Sequence, residues 1–217
     1  MILSKTSEPL LMLVTDRHVV DSRFDLLQKI DAAVRGGVNL VQIRENDLPD
    51  KDLEDLCKDV KNLVDGDALA IINGRIDLAL SGYLDGVHLP EKHALSDKEK
   101  MLFQSELFCS GSCHDLNRAL ELYAIGVDAL IVGTMFETAS HPGKSPEGPA
   151  LIQEIKNRVD CSILGIGGIT EKNVSKVLDA GGNGVAVIRG ILGSSDPEHS
   201  ARQIKNKLYE AMGKSND

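Results

Sequence analysis

The sequence is poor in the features that membrane insertion and nucleic-acid binding require. Its 217 residues include no tryptophan and only 3% aromatic residues, so a stacking platform for bases or sugars is not expected. Lys and Arg number 24 against 33 Asp and Glu, which gives a net charge of −9. Such a chain lacks the clustered cationic surface that binds nucleic acid or an anionic membrane. We therefore expect neither partner.

Long apolar runs and paired cysteines are also missing. No apolar stretch approaches the ~20 residues of a transmembrane helix, and the run at 10–14 is too short for the core of a signal sequence. These absences predict a cytoplasmic protein. The 4 cysteines show no C-x-x-C spacing, and their apolar surroundings predict buried, reduced thiols.

The sequence does contain a regular alternation of short apolar runs and amphipathic stretches. The amphipathic stretches repeat apolar residues at intervals of three and four, which is typical of helices. We count eight runs of each kind, which predicts an α/β protein with a single-domain (β/α)8 TIM barrel over residues 1–217. An open doubly wound sheet is the competing fold, but no G-x-G-x-x-G pattern opens the first helix after Thr15. The predicted strands are 10–15, 40–44, 68–73, 86–89, 107–112, 129–136, 162–167 and 184–189.

Polar residues interrupt the second predicted strand at regular positions. In a small barrel, side chains alternate between the interior and the helix layer, so the Val and Ile of this strand should face the helices. Gln42 and Arg44 should then face the interior, where the rigid fork of Arg suits a carboxylate or a phosphate. The alternative is an internal ion pair of Arg44 with a residue such as Glu45 or Asp16.

Two other predicted strands end in polar residues. Asn73 offers a donor and an acceptor at the barrel mouth, and Gly74 permits close backbone approach, although a plain Asn-Gly turn explains the pair nearly as well. Ser112 on the fifth strand is a ligand candidate. His114 lies at the N-cap region of the following helix, where we expect a structural role.

A longer loop follows the sixth predicted strand. The segment 138–148 is rich in Gly, Pro and Ser, which predicts a mobile βα loop at the mouth of the site. Thr138 and Ser140 on this loop are candidates for substrate binding.

The last two predicted strands end in a pattern that indicates a phosphate site. In TIM barrels, the loops after the seventh and eighth strands commonly bind phosphate, because small residues expose backbone N–H groups there. Gly167 and Gly168 follow the seventh strand, and Ile188 and Arg189 end the eighth. Arg189 adds a positive charge, whereas the competing interpretation of the glycines is that they only make tight turns.

Five segments stand out as ordered motifs along the chain. They are V-Q-I-R-E (41–45), I-I-N-G-R-I-D-L-A-L (71–80), G-V-H-L-P (86–90), G-T-M-F-E-T (133–138) and G-I-G-G-I (165–169). In this order and at these spacings they resemble the thiamine phosphate synthase and TenI superfamily. The resemblance covers essentially the whole chain, and it implies a barrel that acts on a small phosphorylated thiazole-type substrate and forms a homodimer.

The synthase branch of this superfamily joins a pyrimidine diphosphate to a thiazole phosphate. The resemblance implies that synthases hold Mg²⁺ with aspartates at the positions of Gly74 and His93, and neither residue here supplies a carboxylate oxygen. It also implies lysines at the positions of Asn46 and His141, and Lys144 could serve in place of the second. We therefore expect no metal site, with Mg²⁺ as a cofactor only if the chain is a synthase.

The TenI branch is similar at two short motifs, N-G-R (73–75) and V-H-L-P (87–90). This resemblance predicts a thiazole tautomerase, a metal-independent isomerase that moves a proton within a carboxythiazole phosphate. It implies that Arg44, with Gln42, meets the substrate carboxylate, and that the phosphate lies on the turns of the last two units.

The catalytic residue of such a tautomerase has no direct counterpart here. The TenI histidine corresponds to Thr134, whose hydroxyl does not titrate near neutral pH as an imidazole does. We hypothesise that His141, on the loop over the barrel mouth, replaces it. Glu137 is an alternative base, and His88 is a third candidate if it faces inward. A solvent-exposed loop residue is the competing interpretation of His141.

Two functions stand beside the tautomerase. One is a thiamine phosphate synthase with a displaced metal site. The other is a catalytically silent barrel that binds a phosphorylated ligand and regulates a partner. A synthase is distinguished by the formation of product from its two substrates. A silent barrel would bind the phosphorylated ligand without forming a product.

Overall fold

The structure is a computed structural model, and it describes residues 8–93, 107–138 and 145–214. Within these ranges, eight parallel strands form a closed barrel in the order of the sequence, which confirms the predicted TIM-barrel fold. The strands are β1 (Leu10–Val14), β2 (Leu40–Ile43), β3 (Leu69–Asn73), β4 (Gly86–Leu89), β5 (Phe108–Cys113), β6 (Ala129–Gly133), β7 (Ser162–Ile166) and β8 (Gly184–Val187).

The observed strands agree with the predicted ones to within one residue at each end, except that β6 and β8 end earlier than predicted, β8 at Val187 instead of residue 189. β6 was expected to continue to residue 136 but ends at Gly133. The backbone N–H groups of Met135 and Phe136 instead donate to the carbonyls of Ile166 (2.8 Å) and Gly167 (3.0 Å). The chain therefore leaves the strand and crosses the end of β7, which places residues 134–136 beside the barrel mouth.

Among the described residues, helices follow seven of the eight strands and cover the outside of the barrel. Their starts are capped where the sequence supplies a short polar side chain: Oγ of Ser22 accepts from Asp25 N (3.1 Å), and Oδ1 of Asp115 accepts from Arg118 N (2.8 Å). None of the described helices is long and apolar enough to cross a membrane. The helices are α1 (Arg23–Arg35), α2 (Asp50–Val64), α3 (Ile76–Leu78), α4 (Leu116–Ala124), α5 (Pro149–Lys156), α6 (Ser175–Asp179), α7 (Arg189–Leu192) and α8 (Pro197–Lys214), with a π-helical turn at Ala79–Tyr83.

Two hydrophobic layers hold this arrangement together. One lies between the sheet and the helices, and it takes alternate residues of each strand, such as Val41 and Ile43 of β2. The other fills the barrel interior with the remaining strand residues, such as Met12, Leu40 and Ile71. The described interior is packed at the amino-terminal ends of the strands, and the space inside the barrel opens toward their carboxyl ends.

Gly86→Ala should destabilise the barrel, because the interior has no room for a methyl group at this position. An ideal Cβ on Gly86 would lie 1.9 Å from the backbone oxygen of Phe108 on the neighbouring strand. We expect a loss of about 1–3 kcal/mol in the free energy of unfolding, measured by urea denaturation. The matched control is Gly213→Ala in α8, where a Cβ has nothing within 4 Å. Equal stability of both variants would contradict the prediction.

Candidate functional site

A cavity of about 900 Å³ opens at the carboxyl ends of the barrel strands. This is the end at which TIM-barrel enzymes place their active sites. Its walls include the residues that the sequence singled out on strands and turns, namely Gln42, Arg44, Asn73, His88, Ser112, Thr134, Thr138, Gly167, Gly168, Ile188 and Arg189.

A row of side-chain amides crosses the cavity wall formed by β2 and β3. Nε2 of Gln42 donates to Oδ1 of Asn73 (3.3 Å), and Nδ2 of Asn73 donates to Oδ1 of Asn46 (2.9 Å). Gln42 is buried inside the barrel, as its place in the strand alternation predicts. These bonds fix which end of each amide donates and which accepts, so the row presents a defined pattern to a planar ligand.

His88 lies inside the barrel between two serines of the adjacent strand. Its Nδ1 is 2.9 Å from Oγ of Ser110, and its Nε2 is 2.8 Å from Oγ of Ser112. Burial, with a smaller effect of the Arg44 charge, lowers the pKa of His88 to about 3. The ring is therefore neutral near pH 7, and one serine hydroxyl accepts from it while the other donates to it. His88 fixes the hydroxyl of Ser112 at the cavity wall, and a pKa this low argues against His88 as a proton donor.

Arg44 projects into the cavity with an exposed side chain. The internal ion pair considered for it does not form with Glu45, because that carboxylate binds Arg17 instead. Glu45 accepts from the backbone N–H of Arg17 (3.1 and 3.2 Å) and lies 3.8 Å from its Nε. Burial raises the pKa of Glu45. Within the described parts of the chain, Arg44 has no ion pair, so its guanidinium is available to an anionic ligand.

The turn after β7 consists of two glycines whose backbone conformation other residues rarely adopt. Gly167 and Gly168 both have positive φ values, +101° and +65°, which favour glycine. The carbonyls of this turn are engaged, because Gly167 O accepts from Phe136 N (3.0 Å) and Gly168 O accepts from Asn173 Nδ2 (2.8 Å). Ile188 and Arg189 approach the same cavity from the end of β8. The four residues that the sequence predicts to bind phosphate therefore line the same cavity, and their binding of phosphate stays a prediction.

The candidate residues on the loop after β6 differ in where the structure places them. Thr134 and Thr138 line the cavity, and Thr134 is buried. Glu137 is exposed and is not part of the described cavity wall, so its role as a base stays a prediction. Ser140 and His141 lie outside the described residues, as does Lys144.

Sequence reasoning missed a second contact network at the cavity mouth. Oε2 of Glu147 accepts from the backbone N–H of Thr134, and its Oε1 lies 3.6 Å from Nδ1 of His114. Nε2 of His114 lies 3.7 Å from Oε2 of Glu91. His114 was expected to have only a structural role near a helix start, but it lines the cavity. No local sequence pattern indicates these contacts of Glu147, since Thr134 lies 13 residues away along the chain and His114 comes from the loop after β5.

Comparisons with family models, with related sequences and with solved structures all indicate the same family. A family model described as thiamine monophosphate synthase matches residues 11–191. A thiamine-phosphate synthase of Clostridium acetobutylicum is 36% identical over 198 residues, covering 91% of this chain and 90% of that protein. One from Clostridium tetani is 33% identical, covering 95% and 99%. A solved structure of thiamine phosphate pyrophosphorylase from Pyrococcus furiosus superposes with a TM-score of 0.81 at 27% identity, covering 93% of this chain and 96% of that one.

These relatives correct the function expected from the sequence motifs. The thiazole tautomerase prediction is wrong, because relatives at 33% and 36% identity over most of the chain are named synthases. That prediction depended on two short motifs at the ends of β3 and β4, and on the absence of the expected metal carboxylates at Gly74 and His93. The similarity to synthases extends along the whole barrel.

Proposed function

Because the chain belongs to the thiamine monophosphate synthase family, whose model matches residues 11–191, we propose that it is a transferase of thiamine biosynthesis. Its reaction would join a pyrimidine diphosphate to a thiazole phosphate with release of diphosphate. The observation that carries this proposal is a single cavity with two anchoring regions on opposite sides. The amide row stands on β2 and β3, and the glycine turn follows β7, which lies across the closed barrel from β3.

The thiazole phosphate is assigned to the turns after β7 and β8. Two glycines with positive φ allow an anion to approach the backbone there, and Arg189 provides a full positive charge. A phosphate held at this place leaves the rest of the thiazole pointing toward the centre of the cavity.

The pyrimidine is assigned to the wall formed by β2 to β5. Gln42 and Asn73 offer oriented amide groups, and Ser112 offers a hydroxyl that His88 holds in place. Such a set of donors and acceptors suits a flat nitrogen heterocycle. Arg44 lies beside this wall, where its guanidinium would stabilise the negative charge that grows on a departing diphosphate.

Arg189→Ala should weaken the binding of thiazole phosphate. Loss of a charge-assisted hydrogen bond predicts a penalty of about 1.5–3 kcal/mol, measured by titration calorimetry. Arg158→Ala is the matched control, because Arg158 is an exposed residue that precedes β7 at the other end of the barrel. Unchanged affinity in Arg189→Ala would remove this residue from the phosphate site.

The transferase is tested by incubating the purified protein with both substrates, with Mg²⁺ and with EDTA in parallel. We expect thiamine phosphate and diphosphate to form in equal amounts, and to require both substrates. Binding of thiazole phosphate without product under either condition would contradict the transferase. That result would instead support the catalytically silent barrel.

A further inference from the structure

The positions at which synthases are expected to hold Mg²⁺ carry no carboxylate in this chain. Gly74 directly follows β3 and has a φ of +72°. Its backbone N–H donates to His88 O (2.8 Å). A Cβ at Gly74 would meet only Pro90, at an ordinary contact distance of 3.5 Å. Space therefore does not exclude an aspartate there, and Asp tolerates this backbone region better than most residues. The second position, His93, offers nitrogen rather than the oxygen that Mg²⁺ prefers.

The carboxylates that do line the cavity are bound to other groups. Asp50 Oδ1 lies 2.7 Å from Nη1 of Arg75, and Asp16 Oδ1 accepts from the backbone N–H of His18 (3.1 Å). Glu45 is held by Arg17, and Glu91 lies beside His114. Among the residues that the structure describes, no three His, Cys, Asp or Glu side chains are grouped so that they could hold a metal ion. These residues do not fit a magnesium site.

Positive charge is available at the same cavity. Arg44 and Arg189 both line it with exposed side chains, and neither has an ion-pair partner within the described ranges. A guanidinium binds phosphate oxygens through two parallel hydrogen bonds and always stays charged. Such groups can balance the charge of a diphosphate where oxygen ligands for a cation are missing.

We propose that this cavity binds the diphosphate group directly through Arg44, without a bridging divalent cation. The identity of the diphosphate-bearing substrate rests on the proposed function. The cation requirement of binding, in contrast, rests on the residues at the cavity mouth. The two statements therefore fail in different experiments.

Inorganic pyrophosphate is the probe, titrated calorimetrically into the full chain in EDTA and, separately, in Mg²⁺. We expect saturable binding in EDTA, and an affinity in Mg²⁺ no more than about twofold tighter, because no protein ligand retains the ion. Arg44→Ala should weaken binding about tenfold or more in both buffers. Arg35→Ala should leave it unchanged, since Arg35 pairs with Asp31 and Glu198 on the outer surface.

A gain-of-function variant tests the same inference from the opposite direction. Gly74→Asp combined with His93→Asp restores both expected carboxylates, and it should make pyrophosphate binding at least about tenfold tighter in Mg²⁺ than in EDTA. It should also bind Mn²⁺ in the presence of pyrophosphate, as detected by electron paramagnetic resonance. Gly82→Asp combined with His199→Asp is the control, with the same two changes outside the cavity and a similar φ of +82° at the glycine.

Wild-type binding that appears only in Mg²⁺, or no binding in either buffer, would overturn the proposal whatever the variants do. Bound Mn²⁺ in the wild-type protein would overturn it as well. Pyrophosphate binding in EDTA without product from the two substrates would support the cation-free site and contradict the transferase.

Discussion

Acidification from pH 7 to pH 5 should lower the free energy of unfolding by about 2 kcal/mol through His88 alone. The pKa of His88 is lowered from 6.5 to about 3 in the folded protein, because the ring is buried between two serines. Below pH 6.5 the His88 ring therefore binds a proton in the unfolded chain but stays neutral in the folded chain. Stability is complete above this pH, and it decreases progressively as the pH falls toward 3.

His88→Gln should remove this pH dependence, since an amide does not titrate but still donates and accepts hydrogen bonds. Urea denaturation at pH 7, 6 and 5 provides the measurement, and the curves of the variant and the wild type should approach each other as the pH falls. His199→Gln is the matched control, because His199 is exposed on α8. If His88→Gln loses stability with acid as steeply as the wild type, the buried neutral ring is not the cause.

Gly168→Ala should abolish most of the phosphate affinity of the cavity. Its φ of +65° is strained for any residue with a Cβ, and an ideal Cβ would lie 2.4 Å from the backbone oxygen of Glu137. The turn must therefore shift, and the backbone N–H groups assigned to the phosphate move with it. We expect thiazole phosphate to bind about a hundredfold more weakly, which corresponds to the loss of one or two charge-assisted hydrogen bonds.

Gly126→Ala separates this effect from simple backbone strain. Gly126 follows α4 with φ +90°, and a Cβ there has nothing within 4 Å. It should lose about 1 kcal/mol of stability and bind thiazole phosphate normally. Equal affinity of the two variants would show that the glycine turn after β7 does not form the phosphate site.

Much of the site could be predicted because the side chains of a barrel strand follow a simple pattern. Side chains alternate between two faces, so the sequence alone assigns Gln42 and Arg44 to the interior, and both line the cavity. The branch of the superfamily could not be predicted in this way. Two short motifs favoured a tautomerase, whereas relatives over most of the chain are named synthases. A few residues at strand ends are weak evidence beside similarity along the whole chain.

The sequence by itself determined the eight strands, their order and the alternation that places polar residues at the cavity. Each of these depends on residues that are close along the chain, through hydrophobic periodicity and turn-forming glycines. Only the tertiary structure decided which polar groups are partners. In the folded barrel Glu45 pairs with Arg17 rather than with Arg44. His88 is enclosed between two serines that lie 22 and 24 residues away along the chain. Such pairings depend on how the barrel closes, and neither periodicity nor composition carries that information, because a side chain's partners are set by distance in space.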